Sequence, residues 1–430
     1  MVLDAQALEN LEILEVQGKT KMITEGSLLH HLDRCSTKFG RRLFKKWLCS
    51  PLFSEEKLQA RIDAVEELVN NYSFVEKFKL KMRKFADLER YLCRIYKYSI
   101  STQSNAIYVD VNSLSRLDEL FLLLTQLIEI IDVLDEVFSD RSGLSSKRLK
   151  ALVTFESQSY AEGFGKKKTR KKAVKKTKKK TKKVEESKEG QFTLESDEED
   201  KQGEEYKERS RNRNEGDGIL PDIREHLNQF QKVITWKKIN NKNVPEPVKG
   251  LSKEFDDANN EVNNIKKSIQ ECLLKARKEM SLPDMKFNTG SKRYRFEFDL
   301  LNKYTKDVPE NYIETSKSKK YTRYQTQELG DLVDQLQEAE ENLKDAISPF
   351  LSRLFRKFYK KQYLWTDFIS CIAEVDCIMS LAEVSKVEDD MVKPIIVPRK
   401  DVHQKACIEI IGVRHPCVQK VVDQFVPNDV

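Results

Sequence analysis

Two series of apolar residues with the spacing of a helix seam constrain the fold of this chain most strongly. Each series alternates steps of three and four residues, which places its members on one stripe of an α-helix that packs along a partner. The first series is Phe255, Ala258, Val262, Ile265, Ile269, Cys272 and Ala276, and the second is Leu329, Leu332, Leu336, Ala339, Leu343 and Ala346. Because the stripes have similar length and flank about fifty residues, they predict an antiparallel coiled-coil arm with the intervening segment at its tip.

The tip segment changes from helical to strand periodicity. In RYRFEFDL, the apolar residues Tyr294, Phe296, Phe298 and Leu300 alternate with charged ones, and the preceding NTGSK offers a turn, so a short β-hairpin is predicted. Residues 286–324 carry ten basic and five acidic side chains, interleaved with five tyrosines. This composition suits phosphate contacts. Charge that merely keeps a thin arm soluble explains the composition equally well at this point.

Amphipathic helical patterns dominate most of the remaining chain. FGRRLFKKWL, RIDAVEELV and LDELFLLLTQLIEIIDVLDEVF repeat apolar residues every three or four positions, and helical patterning returns after Pro349 in FLSRLFRKFYKKQYLW. KPIIVP and ACIEIIGV, by contrast, have the character of strands. We therefore expect a mainly α protein whose last segment opens an α/β domain.

A lysine-rich run occupies residues 166–183, and an acidic stretch containing ESDEED follows it. Subtracting both from the formal net charge of +7 leaves the rest of the chain nearly neutral. Residues 163–217 have few large apolar side chains, so they cannot offset the entropy of ordering and are expected to be disordered. The run is interpreted as an accessory, either a nuclear localisation signal or a loosely attached polyanion-binding segment.

Motifs for catalysis and metal binding are missing from this sequence. No stretch matches G-x-x-x-x-G-K-[ST] or G-x-G-x-x-G, and the five histidines lack partners at metal-ligand spacing. His415, in GVRHP, is interpreted as a loop residue rather than a general base. The eight cysteines form no CxxC pair, which favours a reducing compartment. The most apolar stretch, from Leu120, is shorter than a bilayer span. We expect no catalytic residue, metal site or membrane partner.

Several segments together resemble the MutS homologues of DNA mismatch repair. LDAQALENLEIL, GSLLHHLDRCSTKFGRRLFKKWLCSPL and IAEVDCIMSLAEVS are similar to the family's helical lever, or core, domain. RYRFEFDL and VPENYIETSKSKKYTRYQTQEL are similar to its clamp, and RHPCV and FVPNDV to the start of its ATPase domain. LPDIREHLNQF and VKGLSKEFDDANNEV look most like the mispair-sensing subunit of the eukaryotic MutS-alpha heterodimer.

The resemblance implies a domain arrangement along the chain. The expected parts are a lever domain at residues 1–248 with the charged insertion at 163–217, a clamp on the arm at 249–345, a second lever part at 346–386, and the start of an ATPase domain at 387–430. The P-loop is expected beyond Val430, so this chain is not expected to be an enzyme and needs no cofactor alone. The parent protein, in contrast, resembles an ATPase that uses ATP and Mg²⁺.

The resemblance also implies site residues and partners. The candidates for contact with the DNA backbone are Lys292, Arg293, Lys317, Lys319, Lys320 and Arg323. Phe425, Val426 and Asn428 fall in the motif that lines the adenine end of the family's nucleotide site. The family's Phe-x-Glu wedge for mispairs is absent from this chain. The implied partners are double-stranded DNA with mispairs and a second MutS homologue subunit, and the implied location is the nucleus.

Two function classes are left open by the sequence. One is a segment that clamps the duplex through its phosphates and transmits conformational change between the clamp and the ATPase domain. The other is a structural coiled-coil scaffold protein, with the lysine-rich insertion serving nuclear targeting or nonspecific nucleic-acid binding. DNA binding that survives deletion of residues 163–217 would favour the clamp, and complete loss with an intact fold would favour the scaffold.

Overall fold

The computed structural model describes most of the chain. The described residues are 2–17, 22–101, 113–156, 218–239, 242–250, 252–288, 296–388, 391–397, 407–420, 422 and 424–430. They are mostly helical with a small four-stranded antiparallel sheet, which confirms the predicted mainly α fold class. The expected disorder of residues 163–217 concerns a segment outside the described residues.

Two compact units make up the structure. The first unit comprises Met1–Lys97, Glu119–Gln231 and Phe358–Val430, and the second comprises Tyr98–Asp118 and Lys232–Lys357. The domain boundaries that the family resemblance implies stay predictions. Among the described residues, we find no helix that combines the length and the apolar character needed to cross a bilayer.

The helices are numbered in chain order. They are α1 Ala5–Asn10, α2 Leu28–Leu32, α3 Lys38–Cys49, α4 Glu55–Asn70, α5 Tyr72–Met82, α6 Leu88–Ser101, α7 Ser113–Val137, α8 Lys147–Val153, α9 Arg224–Gln231, α10 Lys253–Glu279, α11 Gln327–Lys360 and α12 Gln362–Val387. Six of the described helices begin directly after a hydroxyl residue that accepts a hydrogen bond from the amide three positions further on. These residues are Ser27, Thr37, Ser54, Ser146, Ser252 and Thr326.

The core of the first unit is organised around α12. This helix is apolar on nearly all sides, as expected for a helix that is surrounded by protein, and it packs against α3, α4, α5 and α8. Trp365 is fully buried, its ring stacks on Phe358 at 4.8 Å, and its Nε1 donates a hydrogen bond to the Phe358 carbonyl at 3.1 Å. The start of α12 is therefore fixed by both packing and a satisfied polar atom.

A buried carboxylate in α12 holds the beginning of α3. Asp376 accepts hydrogen bonds from the amides of Ser36 and Thr37 at 2.9 and 2.8 Å and from Thr37 Oγ1 at 2.7 Å. Burial raises the pKa of Asp376 because the charged form loses hydration, and these hydrogen bonds oppose that rise. Gly40 allows the close approach, since a Cβ at this position would overlap Asp376 Oδ2 and Thr37 Oγ1.

The second unit contains α10, most of α11 and the larger sheet. It also contains a short antiparallel pair, β3 Ile234–Ile239 with β4 Lys242–Pro247, whereas the pair β1 Val16–Gln17 with β2 Met22–Ile23 belongs to the first unit. The larger sheet consists of β5 Lys286–Phe287, β6 Phe298–Leu301, β7 Tyr312–Lys317 and β8 Tyr321–Thr326, in the order β5-β6-β8-β7 with all neighbours antiparallel. A 3₁₀ helix, Asn302–Asp307, follows β6.

Three local predictions need correction. Of RYRFEFDL, residues 296–300 are described, and in this part the strand begins at Phe298, because Phe296 has a φ of 69° and is not extended. Pro349 does not interrupt the helix, since α11 runs through it. Pro349 is exposed, so water can satisfy the carbonyl that lacks its amide donor.

The predicted strands KPIIVP and ACIEIIGV are the third correction. Their described residues are not in strands, although Val413 and Asn428 form an isolated antiparallel bridge, and Ile410 and Val430 exchange two backbone hydrogen bonds of 2.8 Å. Ile395 and Ile408 are 91% and 76% exposed. These apolar side chains therefore lack the sheet neighbours that would stabilise strands within the part of the chain that is described.

Candidate nucleic-acid interface

The two predicted seams face each other in the second unit and form an antiparallel arm, which confirms the prediction. Lys266 of α10 lies 3.4 Å from Glu340 of α11, and Lys275 lies 3.2 Å from Glu328, so the numbering rises along one helix as it falls along the other. The predicted seam residues in the buried cluster between the helices are Val262, Ile269, Cys272, Ala276, Leu329, Leu336 and Ala339, and Leu273 joins the same cluster. The same cluster includes Phe298, Leu300 and Tyr324 of the sheet, so arm and sheet share one core.

Polar contacts fasten the sheet to the end of α10. The hydroxyl of Tyr312, the first residue of β7, donates a hydrogen bond to Glu279 Oε2 at 2.7 Å. Burial and the neighbouring Glu279 carboxylate raise the pKa of Tyr312 above its ordinary value, so the phenol keeps its proton. Arg277 Nε donates to the Met285 carbonyl at 2.9 Å. The end of β7 that carries Tyr312 is thus tied to the arm.

A turn with three lysines lies at the opposite end of β7. We call residues 317–320 the cationic turn; its members Lys317, Ser318, Lys319 and Lys320 are all exposed. The amide and hydroxyl of Ser318 donate to the Tyr321 carbonyl at 2.7 and 2.8 Å, and Ser318 Oγ accepts from the Tyr321 amide at 3.0 Å. These bonds close the turn locally.

Asn302 fixes the cationic turn from outside, and sequence reasoning did not identify it. Its Nδ2 donates to the carbonyls of Ser318 and Lys319 at 3.1 and 3.2 Å, and its amide donates to the Lys320 carbonyl at 3.2 Å. Asn302 Oδ1 accepts from the hydroxyl of Thr322, a fully buried residue, at 2.8 Å. With its carbonyls held by Asn302, the turn presents its ammonium groups to solvent.

Arg323 differs from the three lysines in having partners within the sheet. Its Nε donates to Asp299 Oδ1 at 3.0 Å and its Nη1 to Ser316 Oγ at 3.3 Å. Asp299 is also opposite Lys286 in the strand register. The guanidinium therefore joins β6, β7 and β8, and this charge is already partly balanced.

The other predicted site residues lie elsewhere or are not described. Lys292 and Arg293 fall outside the described residues. Phe425, Val426 and Asn428 belong to the first unit, where Asn428 bridges to Val413, Phe425 is half-buried and Val426 is 73% exposed. His415 Nδ1 accepts a hydrogen bond from the Val418 amide at 3.3 Å, a local turn contact. Within the described ranges, no group of three or more His, Cys, Asp or Glu is placed to hold a metal ion.

Comparisons with known proteins agree with one another. The family model MutS domain III matches residues 6–382. The DNA mismatch repair protein Msh6 of Gallus gallus is 29% identical over all of this chain and 29% of its own length, and that of Homo sapiens is 28% identical over all of this chain and 28% of its own. The DNA mismatch repair protein Msh3 of Mus musculus is 27% identical over all of this chain and 31% of its own. The chain thus spans less than a third of the length of these curated relatives.

Proposed function

Since this chain belongs to the MutS family, as the match over residues 6–382 establishes, we propose that it is a DNA-binding segment of a mismatch-repair protein. Its arm and sheet hold duplex DNA through the sugar-phosphate backbone. The likeness to Msh6 and Msh3, both DNA mismatch repair proteins, supports the mismatch-repair role, and the likeness to Msh6 agrees with the subgroup predicted from the sequence. The observation that carries the DNA contact is the exposed cationic turn held by Asn302.

The chemistry of the turn suits phosphate better than bases. Lysine is a flexible point charge that binds a phosphate oxygen without the planar, two-pronged geometry that base recognition uses. When three ammonium groups on one turn contact a duplex, they displace counterions from its phosphates. The resulting contribution to the binding free energy does not depend on the base sequence of the DNA. Such a contact suits a protein that must hold DNA at any position.

The transmission of conformational change rests on α11. This helix of 34 residues begins at Gln327, directly after β8 ends at Thr326, and continues without a break to Lys360. At a rise of 1.5 Å per residue it is about 51 Å long. A displacement of β8 is therefore passed to a rigid element rather than lost in a loop.

The whole parent protein is proposed to act as an ATPase with ATP and Mg²⁺, in the nucleus, together with a second MutS homologue subunit. Mispaired duplex DNA is its proposed substrate. In this chain Phe425, Val426 and Asn428 are proposed to contribute to the adenine end of that nucleotide site.

The test replaces the three turn lysines with glutamine, as Lys317→Gln, Lys319→Gln and Lys320→Gln together. If each lysine neutralises one phosphate, the slope of log K against log salt becomes shallower by about 2.7. The matched control replaces three exposed lysines of the arm, Lys253, Lys267 and Lys344. Each salt slope is compared with that of the unaltered chain. Because all three proteins contain the lysine-rich run, its contribution to the slope cancels in this comparison. Equal slopes for the turn variant and the control would refute the DNA contact and favour the scaffold hypothesis.

A further inference from the structure

The proposed DNA contact leaves a second cationic surface unexplained. Helix α3 buries Phe39, Gly40 and Phe44 against the first unit and turns its other side to solvent. Its sequence, KFGRRLFKKWLC, contains five basic residues and no acidic one. All five are exposed, and they make up nearly the whole solvent side: Lys38, Arg41, Arg42, Lys45 and Lys46. We call these five residues the α3 face.

Helix stability does not account for the basic residues at the start of α3, although it favours Lys46 in the last turn. Basic residues in the first turn of a helix oppose the helix dipole, at a cost of about 0.3–1 kcal/mol each, and the first turn of α3 has no acidic residue to compensate. Lys38 is the first residue of the helix, and Arg41 follows one turn later. A solvated surface helix that carried charge for solubility alone would more favourably place acidic side chains at these positions.

Ion pairs also leave most of the charge unbalanced. Arg42 forms a two-pronged pair with Asp87, at 2.8 and 2.6 Å, and Arg41 is 3.8 Å from Asp33. For Lys38, Lys45 and Lys46, we find no carboxylate within 4.0 Å among the residues that the structure describes. Three ammonium groups on one helix side are therefore available to a partner.

The chemistry of the α3 face favours a nucleic-acid partner over a protein. Protein interfaces are centred on aromatic or other large apolar anchors and are depleted in lysine, whereas interfaces with DNA are strongly basic and polar. No exposed apolar anchor lies between the basic residues of this side. Lys38 and Lys45 are two turns apart, about 10 Å along the axis, which is the axial length of about three nucleotides of one strand.

We propose that the α3 face is a second contact surface for the sugar-phosphate backbone of duplex DNA. The proposal rests on the proposed function only in taking DNA as the ligand, because α3 belongs to the first unit and the cationic turn to the second. Lys38, Lys45 and Lys46 contact phosphates directly, and Arg42 holds α3 on Asp87.

The first experiment uses the unaltered chain and measures which lysines DNA protects from acetylation, read by mass spectrometry. Lys38, Lys45 and Lys46 are expected to be modified several-fold more slowly with a short duplex present. Lys77, Lys97 and Lys147, three exposed lysines of the same unit, are the internal control and should react equally with and without DNA. Unchanged acetylation of the α3 lysines at saturating DNA would overturn the proposal.

The second experiment compares charge-matched variants of the full chain. Lys38→Gln, Lys45→Gln and Lys46→Gln together should make the salt slope of DNA binding shallower by about 2.7, like the turn variant. Glutamine at Lys77, Lys97 and Lys147 should leave the slope unaltered. Because the replaced groups are exposed, the thermal unfolding temperature should match that of the unaltered chain, and this measurement verifies folding.

The outcomes separate this inference from the proposed function. A shallower slope for the α3 variant with no effect of the turn variant would refute the turn contact and retain the α3 face. The reverse pattern would refute the α3 face alone. Protection of Lys38, Lys45 and Lys46 by a polyglutamate peptide but not by DNA would assign the surface to an acidic protein, and would also overturn the proposal.

Discussion

Replacing Asn302 with alanine removes the support of the cationic turn while leaving every lysine in place. The amide side chain makes three hydrogen bonds, two to the carbonyls of Ser318 and Lys319 and one from the hydroxyl of Thr322. Alanine makes none of them. The substitution therefore separates the charge of the turn from its conformation.

The size of the effect follows from the burial of the partners. An ordinary hydrogen bond contributes about 0.5–1.5 kcal/mol net, and leaving a buried group unsatisfied costs about 1–3 kcal/mol. The carbonyls of Ser318 and Lys319 belong to exposed residues and can regain water, whereas Thr322 is fully buried and its hydroxyl cannot. We therefore expect the turn to lose about 2 kcal/mol of local stability, mainly from the buried Thr322 hydroxyl that is left without a partner.

Hydrogen exchange measures this loss directly. The Asn302 and Ser318 amides donate to the carbonyls of Lys320 and Tyr321, and both should exchange about 30-fold faster in Asn302→Ala, since 1.36 kcal/mol corresponds to a factor of ten. DNA affinity should fall because binding must then order the turn. The salt slope should stay the same, because the number of ammonium groups is unchanged.

The matched control is Asn263→Ala in α10, where the side-chain amide donates a local hydrogen bond to Asn259 Oδ1 at 3.3 Å. This control should affect neither turn exchange nor DNA affinity. Unaltered exchange at Ser318 in Asn302→Ala would refute the role of Asn302. If the salt slope of Asn302→Ala became as shallow as that of the variant with the three turn lysines replaced, the idea that Asn302 affects only the conformation of the turn would be refuted.

Two further predictions concern the first unit. Gly40→Ala should destabilise the first unit by about 2 kcal/mol, because the added Cβ displaces the Asp376 carboxylate from Ser36 and Thr37. This loss should outweigh the helix preference of alanine over glycine, which is about 1 kcal/mol. A midpoint of denaturant unfolding equal to or above that of the unaltered chain would contradict this. The Arg42 guanidinium holds the pKa of Asp87 below its ordinary value of 3.8. The ion pair therefore stabilises the first unit fully above pH 3.8, and this stabilisation is lost as the pH falls through the lowered pKa of Asp87 in the folded protein. Unfolding measured between about pH 5 and pH 2 should thus show a steeper decline for the unaltered chain than for Asp87→Asn, and parallel curves would contradict the pairing.

The arm could be predicted from the sequence because a helix seam is a local pattern. Each helix presents its apolar residues every three or four positions whatever it packs against, and two matched patterns leave few arrangements. The hairpin of β7 and β8 was not predicted, since its alternation is irregular. A bulge between Glu314 and Ser316 shifts the register, and among the residues of β7 only Tyr312 is buried.

The candidate site could be predicted only as a set of charges, because partners decide what each charge can do. Counted along the sequence, Arg323 and Lys319 are equivalent, yet Arg323 pairs with Asp299 across the sheet and Lys319 faces solvent. Similarly, the pattern of FGRRLFKKWL indicated only an amphipathic helix. The structure shows that Arg42 of this helix is paired with Asp87, which distinguishes it from the lysines of the same helix. Since phosphate binding gains from releasing counterions, an arginine already paired with a carboxylate contributes less than an unpaired lysine. The distribution of unpaired cations, rather than the net charge, is therefore the basis on which both DNA contacts are proposed.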